Sequence, residues 1–180
     1  MKIIFVFFWV AFSAVALRAE TAEQVFLTQE AALKIVFPDA DKVIPKRYTL
    51  SAQQRKKIET QLGWELDSST VTVYCGSKKN QPQGCAVIGE EIGKFKPITF
   101  IVKVSNDKKV ERVEVMVYRE EVGQEVRRQR FTNQFKGKNA KSALRINRDI
   151  INITGATMSV QALTLGVKKV LLILDELPTQ

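Results

Sequence analysis

The sequence predicts an α+β fold: an antiparallel sheet of about four or more strands packed with helices. Three observations carry that expectation. Apolar residues alternate at period two between residues 70 and 118. The segments before and after this stretch place apolar residues at helical spacing, with cap residues at their ends. The resulting order, helix, helix, strands, helix, helix, segregates the two element types along the chain.

The elements follow in order. Lys2 precedes the apolar run IIFVFFWVAFSAVAL, which ends in small residues. A basic start, an apolar stretch and Ala14-Val15-Ala16 as a cleavage site read as a signal peptide over residues 1–19, with Leu17-Arg18-Ala19 as a second cleavage option. The run is shorter than the roughly 20 residues that cross a bilayer. The alternative is an uncleaved anchor, so the expected location is periplasmic or otherwise extracytoplasmic, with or without a membrane tether. Residues 20–68 form an N-terminal helical segment. Thr28 precedes QEAALKIVF, where Ala32, Ile35 and Val36 share a helix face and Pro38 ends the run. Residues 39–47 read as a loop. Ser51 and Gln54 match a capping box, Ile58 and Leu62 lie one turn apart, and Gly63 closes that helix.

TVTVYC then alternates as a strand, and residues 84–88 return as its partner. Phe100, Val102 and Val104 share one strand face. Val113, Val115 and Val117 share another, and Asn106-Asp107 marks the turn between the two. Residues 124–136 read as a helix with Phe131 and Phe135 one turn apart. The last helix, from Val160 to Leu174, is apolar at Ala162, Leu163, Val167, Val170, Leu171 and Leu174.

Composition narrows the function classes. Net charge is +9, and loss of residues 1–19 would remove Lys2 and Arg18 but no acid. A basic surface suits nucleic acid, anionic lipid or an acidic protein. The pairs Lys78-Lys79, Lys108-Lys109 and Arg127-Arg128 are scattered, and export argues against nucleic acid, so these read as solvated faces. The chain has no histidine, which removes His-based metal sites and Ser-His or Cys-His nucleophiles; no metal site is expected. Cys75 and Cys85 flank GSKKNQPQG. In an oxidising compartment they can form a disulfide; two free thiols are the other reading.

The most informative segment is Thr154-Gly155-Ala156-Thr157-Met158-Ser159, between Ile153 and the final helix. It is a tight turn of small residues opening a helix, where free N–H groups and the positive end of the dipole favour a phosphate. Thr154, Thr157 and Ser159 add hydroxyls. The plain alternative is that Thr154 or Thr157 only caps the helix.

TGATMS resembles the flavinylation motif of the FMN-binding domain family, which includes peripheral flavoprotein subunits of the sodium-pumping NADH:quinone oxidoreductase and of its ferredoxin-linked relative. The resemblance runs over about residues 70–172 and rests on several pieces in order. Gly93-x-x-x-Pro97-Ile98 resembles the family's lead into the sheet, Glu120-x-x-Gly123 its strand-end motif, and Gln134-Phe135-x-Gly137-Lys138 a further segment. LTQEAALKIVFPDA resembles the N-terminal helix of stand-alone members. Two positions depart: Ile151 stands where the family often has Asp, and Glu121 where many members have Thr or Ser.

The resemblance implies an FMN-binding domain over residues 69–176. It further implies FMN held covalently by a phosphoester to Thr157, installed by a flavin transferase that uses FAD. Thr154, Gly155, Ala156, Ser159, Glu120 and Gly123 would surround the cofactor, and no catalytic residue is implied. The expected function is an exported electron carrier with extracytoplasmic or membrane redox partners, rather than a stand-alone enzyme. Two alternatives stand beside it: a flavin-free binding or scaffold module of the same fold, and a small flavin-dependent reductase.

Overall fold

The computed structural model describes residues 23–178. The signal-peptide reading of residues 1–19 lies outside them. Within the described chain the elements run β1 (Gln24–Val25), α1 (Gln29–Val36), β2 (Lys42–Thr49), α2 (Ala52–Leu62), β3 (Thr70–Lys78), β4 (Gln81–Ile92), β5 (Pro97–Val104), β6 (Val110–Tyr118), α3 (Gln129–Thr132) and α4 (Thr157–Glu176). The six strands form one sheet in the order β1-β6-β5-β4-β3-β2, and each neighbouring pair is antiparallel. The fold is α+β, with helices on both faces of the sheet.

Local chemistry sets the helices. The Thr28 hydroxyl accepts the Ala31 N–H at 3.2 Å and caps α1. Ser51 and Gln54 form a reciprocal capping box at the start of α2. Helix α1 covers one face of the sheet, where Ala32, Val36 and Phe37 pack against Ala86, Ile101 and Met116. Helices α2 and α4 cover the other, packing Ile58, Leu62, Leu163, Val167 and Leu171 against Val73, Val87, Phe100 and Val102. Each fully buried branched side chain there contributes about 1.5–3 kcal/mol relative to exposure. Helix α4, 20 residues long, is apolar enough to cross a membrane by composition alone. It serves here as the core helix of the larger face.

Three expectations are corrected. Residues 42–47, read as part of a loop, belong to the edge strand β2 (Lys42–Thr49). That strand is exposed along most of its length and contains Pro45, so it shows none of the apolar alternation that marks a strand. Residues 124–136 do not form one helix: a 3-10 turn at Gln124–Arg127, the short α3 and a second 3-10 turn at Asn133–Phe135 replace it. Extended Arg128 (φ −67°, ψ 136°) breaks the run. Phe131 and Phe135 still meet edge to face, with ring centroids 5.6 Å apart. Val117 does not share the face of Val113 and Val115. A register shift between Thr99 and Phe100 inserts Met116 as an extra residue, and Val117 joins the α1 side.

Candidate functional site

The site is built at the start of α4, where two loops converge. Ile153 to Ala156 make the turn that opens the helix, closed by the Ala156 N–H donating to the Ile153 carbonyl at 3.0 Å. Gly155 has φ +82°, and a Cβ there would meet nothing within 4 Å. Glycine is therefore required for the turn's backbone conformation, while the space over it is open. The N-cap is Ala156, and no side chain caps the helix. The plain alternative, that Thr154 or Thr157 only caps the helix, does not hold. Thr154 is exposed, and Thr157 is the first helical residue, with its side chain in solvent. Its hydroxyl accepts a hydrogen bond from Asn152 Nδ2 at 3.2 Å.

Ser159 is placed differently from the expectation. It is 3% exposed, and its hydroxyl lies 2.7 Å from the Tyr118 hydroxyl. Tyr118 donates its single proton to the Val122 carbonyl at 2.5 Å, so Ser159 is the donor in the pair. Ser159 is therefore a structural tie between α4 and the end of β6, not an outward-facing hydroxyl. Burial of the Tyr118 phenol raises its pKa; the Ser159 hydrogen bond works in the opposite direction, and the charges of Glu120 and Glu125 add to the rise. The phenol stays neutral, a hydrogen-bonding fixture.

Gly123 closes over this tie. Its φ is +94°, and a Cβ would sit 2.6 Å from Ser159 Oγ and 2.7 Å from the Tyr118 hydroxyl oxygen. Glu120 points to the other side of the loop. Its Oε1 accepts the N–H groups of Phe95 at 2.5 Å and Lys96 at 2.9 Å, clamping the turn between β4 and β5. Partial burial alone would raise the pKa of this carboxylate. Backbone N–H donation from Lys96, Phe95 and Lys94, with the charge of Lys96, outweighs that and holds it below the ordinary carboxylate value. Glu120 and Gly123 thus shape the neighbourhood of α4, and the hydrogen bonds of Glu120 go to the turn.

On the opposite flank, residues 151–154 and the α3 region face each other across an open cleft of about 420 Å³, with Arg130, Phe131 and Gln134 on its far wall. Gln134 grips the peptide of residue 151: the Ile151 N–H donates to Gln134 Oε1 at 2.7 Å, and Gln134 Nε2 donates to the Ile151 carbonyl at 3.3 Å. With its backbone held, the Ile151 side chain turns out to solvent. Phe135 is fully buried and belongs to the core. Cys75 and Cys85 sit opposite one another on β3 and β4, joined by a disulfide. Among the described residues, no group of three or more His, Cys, Asp or Glu converges as for a metal ion.

Tyr118 and Asn152 are the two site residues that sequence reasoning did not single out. Each acts on a residue distant in sequence or outside a recognisable spacing. The only signal for Asn152 was an amide-bearing residue just ahead of the turn.

Part of the chain matches a known family. Residues 93–172 match the FMN-binding domain family. The chain carries an FMN-binding domain. The matched stretch contains β5, β6, both loops and nearly all of α4, so Glu120, Gly123 and Thr154 to Ser159 all fall inside the FMN-binding domain. The fold is similar to that of Shewanella oneidensis NqrC, at 15% identity and a TM-score of 0.55, over 76% of this chain and 80% of that one. A Na(+)-translocating NADH-quinone reductase component from Parabacteroides distasonis aligns at 15% identity and a TM-score of 0.45, over 74% of this chain and 73% of its own. No curated protein sequence matches the chain.

The residues present fit the cofactor of this family. A long helix whose first turn has no side-chain cap offers its N–H groups and dipole to a phosphate. An exposed hydroxyl stands at its first residue, and Arg130 brings a cation to the neighbouring cleft.

Proposed function

We propose that this protein is an extracytoplasmic electron carrier whose FMN is joined by a phosphoester to the hydroxyl of Thr157. The observation that carries the reading is the exposed Thr157 hydroxyl on the first turn of α4, a 20-residue helix with no side-chain cap. A phosphoester there would place its negative charge where the helix offers unpaired donors and the positive end of its dipole. FMN, when bound, supplies the redox chemistry.

The chain's own residues hold and shape. Thr157 Oγ1 anchors. Gly155 leaves the approach to the first turn open. Tyr118, Ser159 and Gly123 fix the helix to the end of β6, so the anchor sits on rigid elements. Val122, Ile151 and Met158 are exposed apolar side chains around the same turn, and they lower the polarity beside it. A covalent tether also has a physical logic outside the cytoplasm, where a dissociable cofactor would be diluted away.

The Cys75–Cys85 disulfide and the apolar run near residue 1 both support an oxidising, extracytoplasmic location. The partners in this reading are a flavin transferase that uses FAD and membrane or extracytoplasmic redox proteins. The excess of basic residues favours acidic redox partners.

The test is intact mass after denaturation, on protein exported alongside a flavin transferase. The expected result is a gain of one FMN minus water, mapped to the peptide containing Thr157, kept in Thr157→Ser and lost in Thr157→Val. A bare polypeptide mass, with a control substrate modified in the same cells, overturns covalent attachment.

A further inference from the structure

We propose that Asn152 is a positioning residue that sets the Thr157 hydroxyl for esterification, an inference that rests on Thr157 being the attachment point. Its footing begins across the cleft. Gln134 holds the peptide of Ile151 through both its N–H and its carbonyl, at 2.7 and 3.3 Å, and so fixes where the next residue starts. Asn152 Oδ1 accepts the Ile153 N–H at 2.9 Å. A backbone N–H only donates, so the side-chain atom facing it is the amide oxygen. The amide nitrogen is then the atom facing Thr157 Oγ1, at 3.2 Å. The direction of this hydrogen bond follows from the backbone contact.

The direction has a chemical consequence. Asn152 donates, so it occupies one lone pair of Oγ1 and fixes the rotamer. It leaves the hydroxyl proton and the second lone pair directed elsewhere. In esterification that free lone pair forms the oxygen–phosphorus bond, the phosphoanhydride of FAD breaks, and AMP leaves. The hydroxyl proton passes to a base of the transferase or to water, and no electrons are transferred. Asn152 moves no proton. It remains a donor to the same oxygen when that oxygen becomes the bridging atom of the ester. Holding the nucleophile in one rotamer removes an orientational cost from the step. An acceptor in this position would instead compete for the hydroxyl proton.

Two measurements test this on the exported chain prepared from cells without a transferase. The first is the set of three-bond couplings that report Thr157 χ1, in wild type and in Asn152→Ala. The expected result is one rotamer in wild type and averaged couplings in the variant, with an unchanged melting temperature. The second is the initial rate of modification by added transferase and FAD. Loss of one hydrogen bond should slow Asn152→Ala roughly 3–10-fold. Asn152→Asp still accepts the Ile153 N–H but now accepts the Thr157 proton as well. Its pH–rate profile should therefore gain a further titration from the new carboxylate, absent from the wild-type profile, which a purely structural role would not produce. Thr157 held in one rotamer in Asn152→Ala, or wild-type rates in that variant, would overturn the proposal. If the wild type is not modified while a control substrate is, Thr157 attachment falls; the couplings still decide what Asn152 does.

Discussion

Gly123 shows how a single residue is fixed by two demands at once. Its backbone lies at φ +94°, where L side chains are strained, and the space a Cβ would take is already held by the Ser159 and Tyr118 hydroxyls. Neither neighbour can yield without breaking the tie between β6 and α4. Gly123→Ala should therefore lose about 2–3 kcal/mol in urea unfolding, more than a glycine in an open turn would. Glu120 makes a different prediction, about pH. Its folded-state pKa lies below the ordinary value of 4.5 because the N–H groups of the β4–β5 turn favour the carboxylate. A depressed pKa contributes stability that is fully present above the ordinary value and is lost as pH falls through the folded one. Stability measured from pH 6 downward should fall less steeply through this window in Glu120→Gln than in wild type. The motif glycine and glutamate were visible in the sequence, and their partners were not. Tyr118 and Ser159 are 41 residues apart, and only the fold brings them together.

At the scale of elements, α4 meets the sheet through a close approach. A Cβ on Gly166 would sit 2.2 Å from Phe100 Cζ and 2.8 Å from Glu91 Cγ. Alanine in a helix interior is favoured over glycine by about 1 kcal/mol, whereas overpacking a filled core costs about 1–3 kcal/mol. Phe100 has little room to move: it is fully buried, and a Cβ on Gly89 of the neighbouring strand would also come within 3.0 Å of the same ring. Overpacking should win, and Gly166→Ala should lower the unfolding free energy despite its better helix propensity. The elements themselves divide by how they announce themselves. Strands β3, β5 and β6 and the middle of β4 bury apolar positions in strand fashion, and α1, α2 and α4 bury helical stripes, so both periods could be read. Strand β2 is exposed on most of its residues and carries no apolar period. The bulge at Met116 inverts the faces of β6 without altering its composition, so local pattern could not place Val117. The broken stretch at 124–135 looked helical because its two phenylalanines keep the right spacing while the backbone between the turns does not.

At the scale of the whole molecule, the disulfide clips β3 to β4 across a sequence separation of 10. Closing so short a loop restricts the unfolded chain by about 2–3 kcal/mol in the chain-entropy model. Cys75→Ser/Cys85→Ser should unfold at correspondingly lower urea, with the sheet order unchanged by hydrogen exchange. Both outer strands of the sheet come from the first third of the chain. Strand β2 seals one edge against β3, and β1 seals the other by pairing Gln24 with Tyr118 and Val25 with Val117. Helix α1, which follows β1, seats against Met116 on the same distant strand. While the polypeptide is being synthesised, β1 thus has no strand to pair with, and α1 lacks part of its seat, until β6 has emerged. The earliest-made part of the described chain must wait for strands made long after it, and it sets the moment at which the last open edge of the sheet closes.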